Sequence, residues 1–146
     1  MHSHKYLLKK DKEDARDFRV SMTRLNPNIP PKMNLSTVTP PIWDQGPVGL
    51  CFAHAGCRIF DTEYYKQCQK FLIPSRLFLG IMARSDEGTL RQDAGATLRG
   101  TIKAMVKYGV PPEERFPYDV TKMYQLPPAN IMALAEKYQT LKYYPE

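Results

Sequence analysis

The side chains that could act as nucleophile or base are few: cysteine at 51, 57 and 68, histidine at 2, 4 and 54. The cysteines form no CxxC or CxxxxC pair and no His or Cys follows at finger spacing, so the pattern calls for no metal and no other cofactor. A sparse, odd set leaves a free thiol and argues for a reducing, intracellular compartment over a disulfide-stapled secreted domain. Cys51 stands out. It lies in Gln45-Gly46-Pro47-Val48-Gly49-Leu50-Cys51-Phe52-Ala53, a glycine-bearing loop that delivers a cysteine to the first turn of a long helix. Unpaired N–H groups and the positive end of the helix dipole favour thiolate over thiol at such a position. Gln45 can turn its side-chain amide toward an oxyanion beside the Cys51 N–H, and Gly49 lets a substrate backbone come close. The chemistry this suits is acyl transfer. Cys57 and Cys68 read as ordinary thiols. His54, three residues past Cys51, starts a turn further in and reads as a packing or supporting residue.

Several elements must position these groups. Residues 5–25 form a charged arm, and Asn26-Pro27-Asn28-Ile29-Pro30-Pro31 then blocks any helix. We read 1–32 as an extended arm crossing to another part of the molecule, with Lys9-Lys10-Asp11-Lys12 as a solvated face. The stretch 33–50 carries Pro40-Pro41, Gly46, Pro47 and Gly49, so irregular backbone is expected, anchored by a buried Trp43. From Cys51 to about Gln67, small or apolar residues at 52, 53, 56, 59, 60 and 64 follow the helical period. Ser75 caps a short buried helix through Leu77 to Ala83 that stops at Asp86-Glu87-Gly88. Leu98, Ile102, Met105 and Val106 mark one face of a third helix, ended by Gly109. Proline-rich 111–119 is a loop pinned by its aromatic rings, a weaker helix spans 129–138, and 140–146 reads as a strand just beginning.

At the Gln45–Ala53 loop the sequence resembles the papain-like cysteine peptidases, whose signature is a Gln-Gly loop, a further Gly, then Cys, an aromatic residue and Ala. Met33-Asn34-Leu35 and Pro40-Pro41-Ile42-Trp43-Asp44 ahead of it look like the lead-in of bacterial, archaeal and large-DNA-virus members. Ser75-Arg76-Leu77-Phe78-Leu79, Asp93-Ala94-Gly95-Ala96, Lys107-Tyr108-Gly109-Val110 and Phe116-Pro117-Tyr118 behind it keep the same order, so the likeness spans about residues 14 to 144. It implies an α+β papain-like fold, with 33–139 as the mostly helical left-hand domain and the β-rich right-hand domain largely missing from this chain. It implies Cys51 as nucleophile and Gln45 with the Cys51 N–H as oxyanion donors. Gly49, Gly95 and Ala96 would line the substrate cleft, the strip at 95–96 bonding the peptide near the second residue before the scissile bond, with Leu98 by the apolar specificity pocket. Val48 replaces a disulfide cysteine of many secreted members and Phe52 replaces a Trp; neither removes an atom the chemistry requires.

The family mechanism also needs a His to hold the thiolate and protonate the leaving amine, and an Asn or Asp to orient that ring. Both are expected beyond Glu146 in a β domain, in cis or on a partner chain, which would also cover the apolar cleft face. The expected partner is otherwise a polypeptide substrate. The alternative is a non-catalytic papain-like binding or structural protein, for instance a virion component. Composition fits one globular domain: 146 residues, 42% hydrophobic and 25% charged. No apolar run approaches the roughly 18 residues of a membrane span, and the polar N-terminus does not read as a secretory signal. Half of the net charge of +6 sits before Leu25; a generally basic surface is a solubility feature with weak polyanion attraction and points to neither a nucleic-acid nor a membrane partner.

Overall fold

A computed structural model describes residues 4–17 and 30–139; the strand expected at 140–146 and the middle of the arm lie outside them. Four helices carry the body: α1 (Cys51–Cys68), α2 (Arg76–Asp86), α3 (Leu98–Tyr108) and α4 (Ala129–Ala135), the last running on into a 3-10 turn at Glu136–Tyr138. Among the described residues β structure is limited to isolated bridges, Lys9 with Thr97 and Pro74 with Pro112.

α2 is the centre. It packs against both α1 and α3, which also touch each other, and Leu77, Phe78, Leu79 and Ile81 are completely buried. Its start is fixed by Ser75, whose hydroxyl oxygen accepts from the Phe78 N–H at 3.2 Å and whose O–H donates to the Phe116 carbonyl at 2.6 Å. The cap satisfies a donor the helix cannot, and the second bond ties the proline-rich loop to the helix. Phe116 then meets Phe78 edge-on at 6.2 Å, so a ring does pin that loop.

Two expectations about buried faces need correction. α3 buries Thr101, Ala104 and Met105, while Leu98 is 38% exposed. The cause is close packing: a Cβ at Gly56 of α1 would lie 2.8 Å from the Thr101 methyl, so small residues make this contact and hydrophobic periodicity undercounts them. In α1, Ile59 belongs to the expected apolar face but is exposed. Trp43 is not a buried anchor either. It stays 41% exposed because its ring is stacked on the Arg76 guanidinium, 4.7 Å away, an arrangement that favours a half-wet aromatic.

One buried charge organises the lower body. Arg84 on α2 is fully buried and donates to the carbonyls of Gly80 at 3.2 Å, Gln92 at 2.9 Å and Met123. Burial lowers its pKa from the ordinary arginine value. Through Gln92 it fixes the segment that leads to Asp93 and Gly95.

Candidate active site

Cys51 is the first residue of α1 and half-buried. Leu50, fully buried, occupies the N-cap position without a side-chain cap, and its carbonyl accepts the first helical bonds, from the Ala53 and His54 N–H groups at 3.1 and 3.2 Å. The Cys51 N–H thus precedes the helical ladder, and the chain from Gly46 to Leu50 sets where the sulfur emerges. Gly46 adopts a φ of 68° there, a left-handed turn glycine makes without strain.

The other two thiols are placed differently. Cys57 is buried in the core and Cys68 is exposed at the end of α1; both are free. Burial pushes the Cys57 thiol well above its ordinary pKa, and Glu113 adds to the effect.

Gln45 is buried, and its side chain does not point to solvent. Its Nε2 donates to the Lys5 carbonyl at 2.8 Å and to the Val48 carbonyl at 2.9 Å. Its backbone carbonyl accepts from the Tyr118 hydroxyl at 2.8 Å. Tyr118, its pKa raised by burial to about 12, is packed against Arg76, which stands 4.9 Å from its ring and pairs with Glu113 at 2.8 Å. Trp43, Arg76 and Tyr118 therefore form a stack that holds the loop bearing Gln45. The Phe116-Pro117-Tyr118 block marks Tyr118 in the sequence, but only the fold reveals its bond to residue 45.

His54 is packed between the Leu50 carbonyl and the Tyr118 ring. Its Nδ1 lies 3.1 Å from the Leu50 carbonyl, its ring meets Tyr118 edge-on at 5.1 Å, and its Nε2 is buried without a partner among the described residues. Burial lowers its pKa, and the nearby Arg76 reinforces that.

The residues expected to line a cleft are joined to the Cys51 loop through Asp93. Gly49, Gly95 and Ala96 are all buried. Asp93 joins the two segments: its Oδ1 accepts from the Gly49 N–H at 2.9 Å and its Oδ2 from Lys5 Nζ at 2.9 Å. Burial alone would raise the Asp93 pKa, but those hydrogen bonds outweigh it and the net shift is downward. Asp93 was not singled out as a site residue from the sequence; its place in the Asp93-Ala94-Gly95-Ala96 block is the signal that could have found it. Leu98 opens the first turn of α3 two residues beyond Ala96, largely accessible.

A separate cleft of about 180 Å3 lies behind Trp43, lined by Pro40, His54, Cys57, Asp61 and Arg76. Neither Cys51 nor Gln45 reaches it, and its one thiol is the protonated Cys57. Among the described residues no group of three His, Cys, Asp or Glu could hold a metal ion, and no helix is long and apolar enough to cross a membrane.

No family model matches the sequence. A peptidase C1-like protein of Acanthamoeba polyphaga mimivirus is 35% identical over 101 residues, which cover 68% of this chain and 32% of that protein. The crystal structure of xylellain, a cysteine protease from Xylella fastidiosa, superposes with a TM-score of 0.75 at 30% identity, covering 94% of this chain and 56% of that one. The chain thus spans about a third of the viral relative and little more than half of the bacterial structure.

Proposed function

The chain belongs to the papain-like cysteine peptidase family, and from that premise we propose that it carries the nucleophile half of an enzyme that hydrolyses peptide bonds through a thioester on Cys51. The observation that carries the reading is the position of Cys51 at the head of α1, half-buried beside a strip built from Gly49, Gly95 and Ala96. An inert cysteine needs no such setting.

In the proposed reaction the Cys51 sulfur attacks the substrate carbonyl carbon, and the negative charge that develops on oxygen is met by the Cys51 N–H and the Gln45 amide. The amine leaves with a proton from an imidazole, and water then hydrolyses the thioester, regenerating the thiol. We assign that imidazole and its orienting Asn or Asp to the β-rich right-hand half, in cis or on a partner polypeptide, since His54 is committed to Leu50 and Tyr118. The exposed Ile42, Trp43 and Ile59 are the apolar surface such a half would cover. No cofactor enters the scheme.

The test is hydrolysis of fluorogenic peptides by the protein from its complete reading frame. Cys51→Ala is expected to abolish turnover, and Gln45→Ala to lower kcat by about 100- to 1,000-fold, the usual cost of one oxyanion donor. Turnover that survives Cys51→Ala, or no turnover in the unaltered protein, contradicts the proposal; the second outcome fits a binding protein that keeps the fold.

A further inference from the structure

Gln45 carries the amide that the proposed reaction needs, yet the residue lies in neither helix nor strand. The loop from Asp44 to Leu50 is closed by its own bonds: Gln45 Nε2 to the Val48 carbonyl at 2.9 Å, the Gly46 N–H to Asp44 Oδ1 at 2.8 Å, and the Leu50 N–H to the Val48 carbonyl at 3.0 Å. Such bonds give the loop its shape. They do not fix its place on the body, which depends on groups far along the chain. At one end the Gly49 N–H donates to Asp93 Oδ1 at 2.9 Å; at the other the Tyr118 hydroxyl donates to the Gln45 backbone carbonyl at 2.8 Å.

The Tyr118 end is itself firmly seated. Its ring meets His54 edge-on at 5.1 Å and lies 4.9 Å from the Arg76 guanidinium, which also stacks on Trp43 at 4.7 Å and pairs with Glu113 at 2.8 Å. The loop that carries Tyr118 is bonded to α2 through the Ser75 hydroxyl and the Phe116 carbonyl. Burial raises the Tyr118 pKa to about 12, so the hydroxyl remains a donor across the neutral range. Phe116, two residues earlier, packs on Phe78 with a ring alone. Pinning this loop therefore does not call for an oxygen, and what the oxygen at 118 adds is the bond to residue 45.

We infer that Tyr118 is a positioning residue for acyl transfer: by holding the Gln45 carbonyl it aims the Gln45 amide at the oxygen that becomes negative when Cys51 attacks. The inference rests on the peptidase reading. An oxyanion donor acts within about 2.7 to 3.1 Å of that oxygen, and a misplacement of about 1 Å can cost about 100-fold. A tilt of the backbone at Gln45 is carried to the far end of its side chain. A loop of the right shape but with a loose seat would therefore lose the alignment. Tyr118 makes and breaks no bond in this scheme, and its effect passes through Gln45.

The test is a double-mutant cycle on peptide turnover in the complete protein, with Tyr118→Phe, Gln45→Ala and the two together. Tyr118→Phe is expected to lower kcat by at least about tenfold and leave KM within about twofold, the mark of an interaction made only in the transition state. Joined to Gln45→Ala, it should cost nothing further. Iodoacetamide supplies the control, because displacement of iodide by the Cys51 sulfur forms no oxyanion: its rate at Cys51 should be the same in Tyr118→Phe as in the unaltered protein. A smaller loss of kcat, a loss carried by KM, or an equal loss in the Gln45→Ala background overturns the inference. So does alkylation of Cys51 that falls in step with kcat, which would mean that the whole site is disturbed. If the unaltered protein turns over no peptide, the peptidase reading fails instead. The hold on Gln45 is then judged by NMR of its side-chain amide: order lost in Tyr118→Phe supports it, and order retained overturns it.

Discussion

Cys51 opens α1 and Ser75 caps α2 where a short stretch of sequence places them, because a cap or a loop-to-helix junction is local chemistry. His54 is different, since its state is set by Tyr118 and Arg76, both far along the chain. Its pKa is lowered in the fold, so the folded protein binds fewer protons than the unfolded chain once the pH falls below the unfolded value, about 6.5. Stability from this group is therefore present above about pH 6.5 and is lost on acidification, by at most about 1.4 kcal/mol per pH unit. Urea unfolding between about pH 7.5 and 5 should show that slope, and His54→Gln should flatten it; an equal slope in the variant would mean that other groups carry it. The tie between Gln45 and Lys5 could not have been read from spacing, for it joins residues 40 positions apart.

At the scale of elements, all four helices were legible, since helical periodicity and proline breaks, with the Ser75 cap at α2, stand in the sequence. The face of α3 was not. Periodicity weights Leu98 and Ile102, whereas close approach to Gly56 favours Thr101 and Ala104, and that preference exists only once α1 is opposite. Trp43 escaped for a related reason: an aromatic ring looks like core until a cation is found to stack on it. The α2 cap offers a quantitative check. Ser75→Ala removes an acceptor for the Phe78 N–H and a donor to the Phe116 carbonyl, and should cost about 2 kcal/mol in denaturant unfolding. A loss under about 0.5 kcal/mol would show that neither bond matters to the fold.

At the scale of the whole molecule, long-range polar contacts decide how the loops meet. Arg84 is the clearest: one guanidinium satisfies carbonyls on α2, on the segment before Asp93, and on the turn at Met123. Arg84→Ala leaves three carbonyls without that donor and should cost about 3 kcal/mol or more, lowering Tm by roughly 10 °C. A shift of only a degree or two would mean that water replaces it freely. The arm illustrates the limit of composition. Lys10 and Lys12 are the exposed charges the sequence suggests, yet Lys9 and Asp11, from the same run, are half-buried against Glu87 and the first turn of α3. A solvated charge and a paired one look alike until the partner's position is known.

The central claim concerns one sulfur, and the chain supplies its own controls. Iodoacetamide applied near neutral pH to the complete protein, with adducts counted residue by residue by mass spectrometry, compares Cys51 with buried Cys57 and freely accessible Cys68. The account predicts modification at Cys51 well ahead of Cys68, with Cys57 last. Cys68 leading, or all three reacting slowly at one rate, would contradict it.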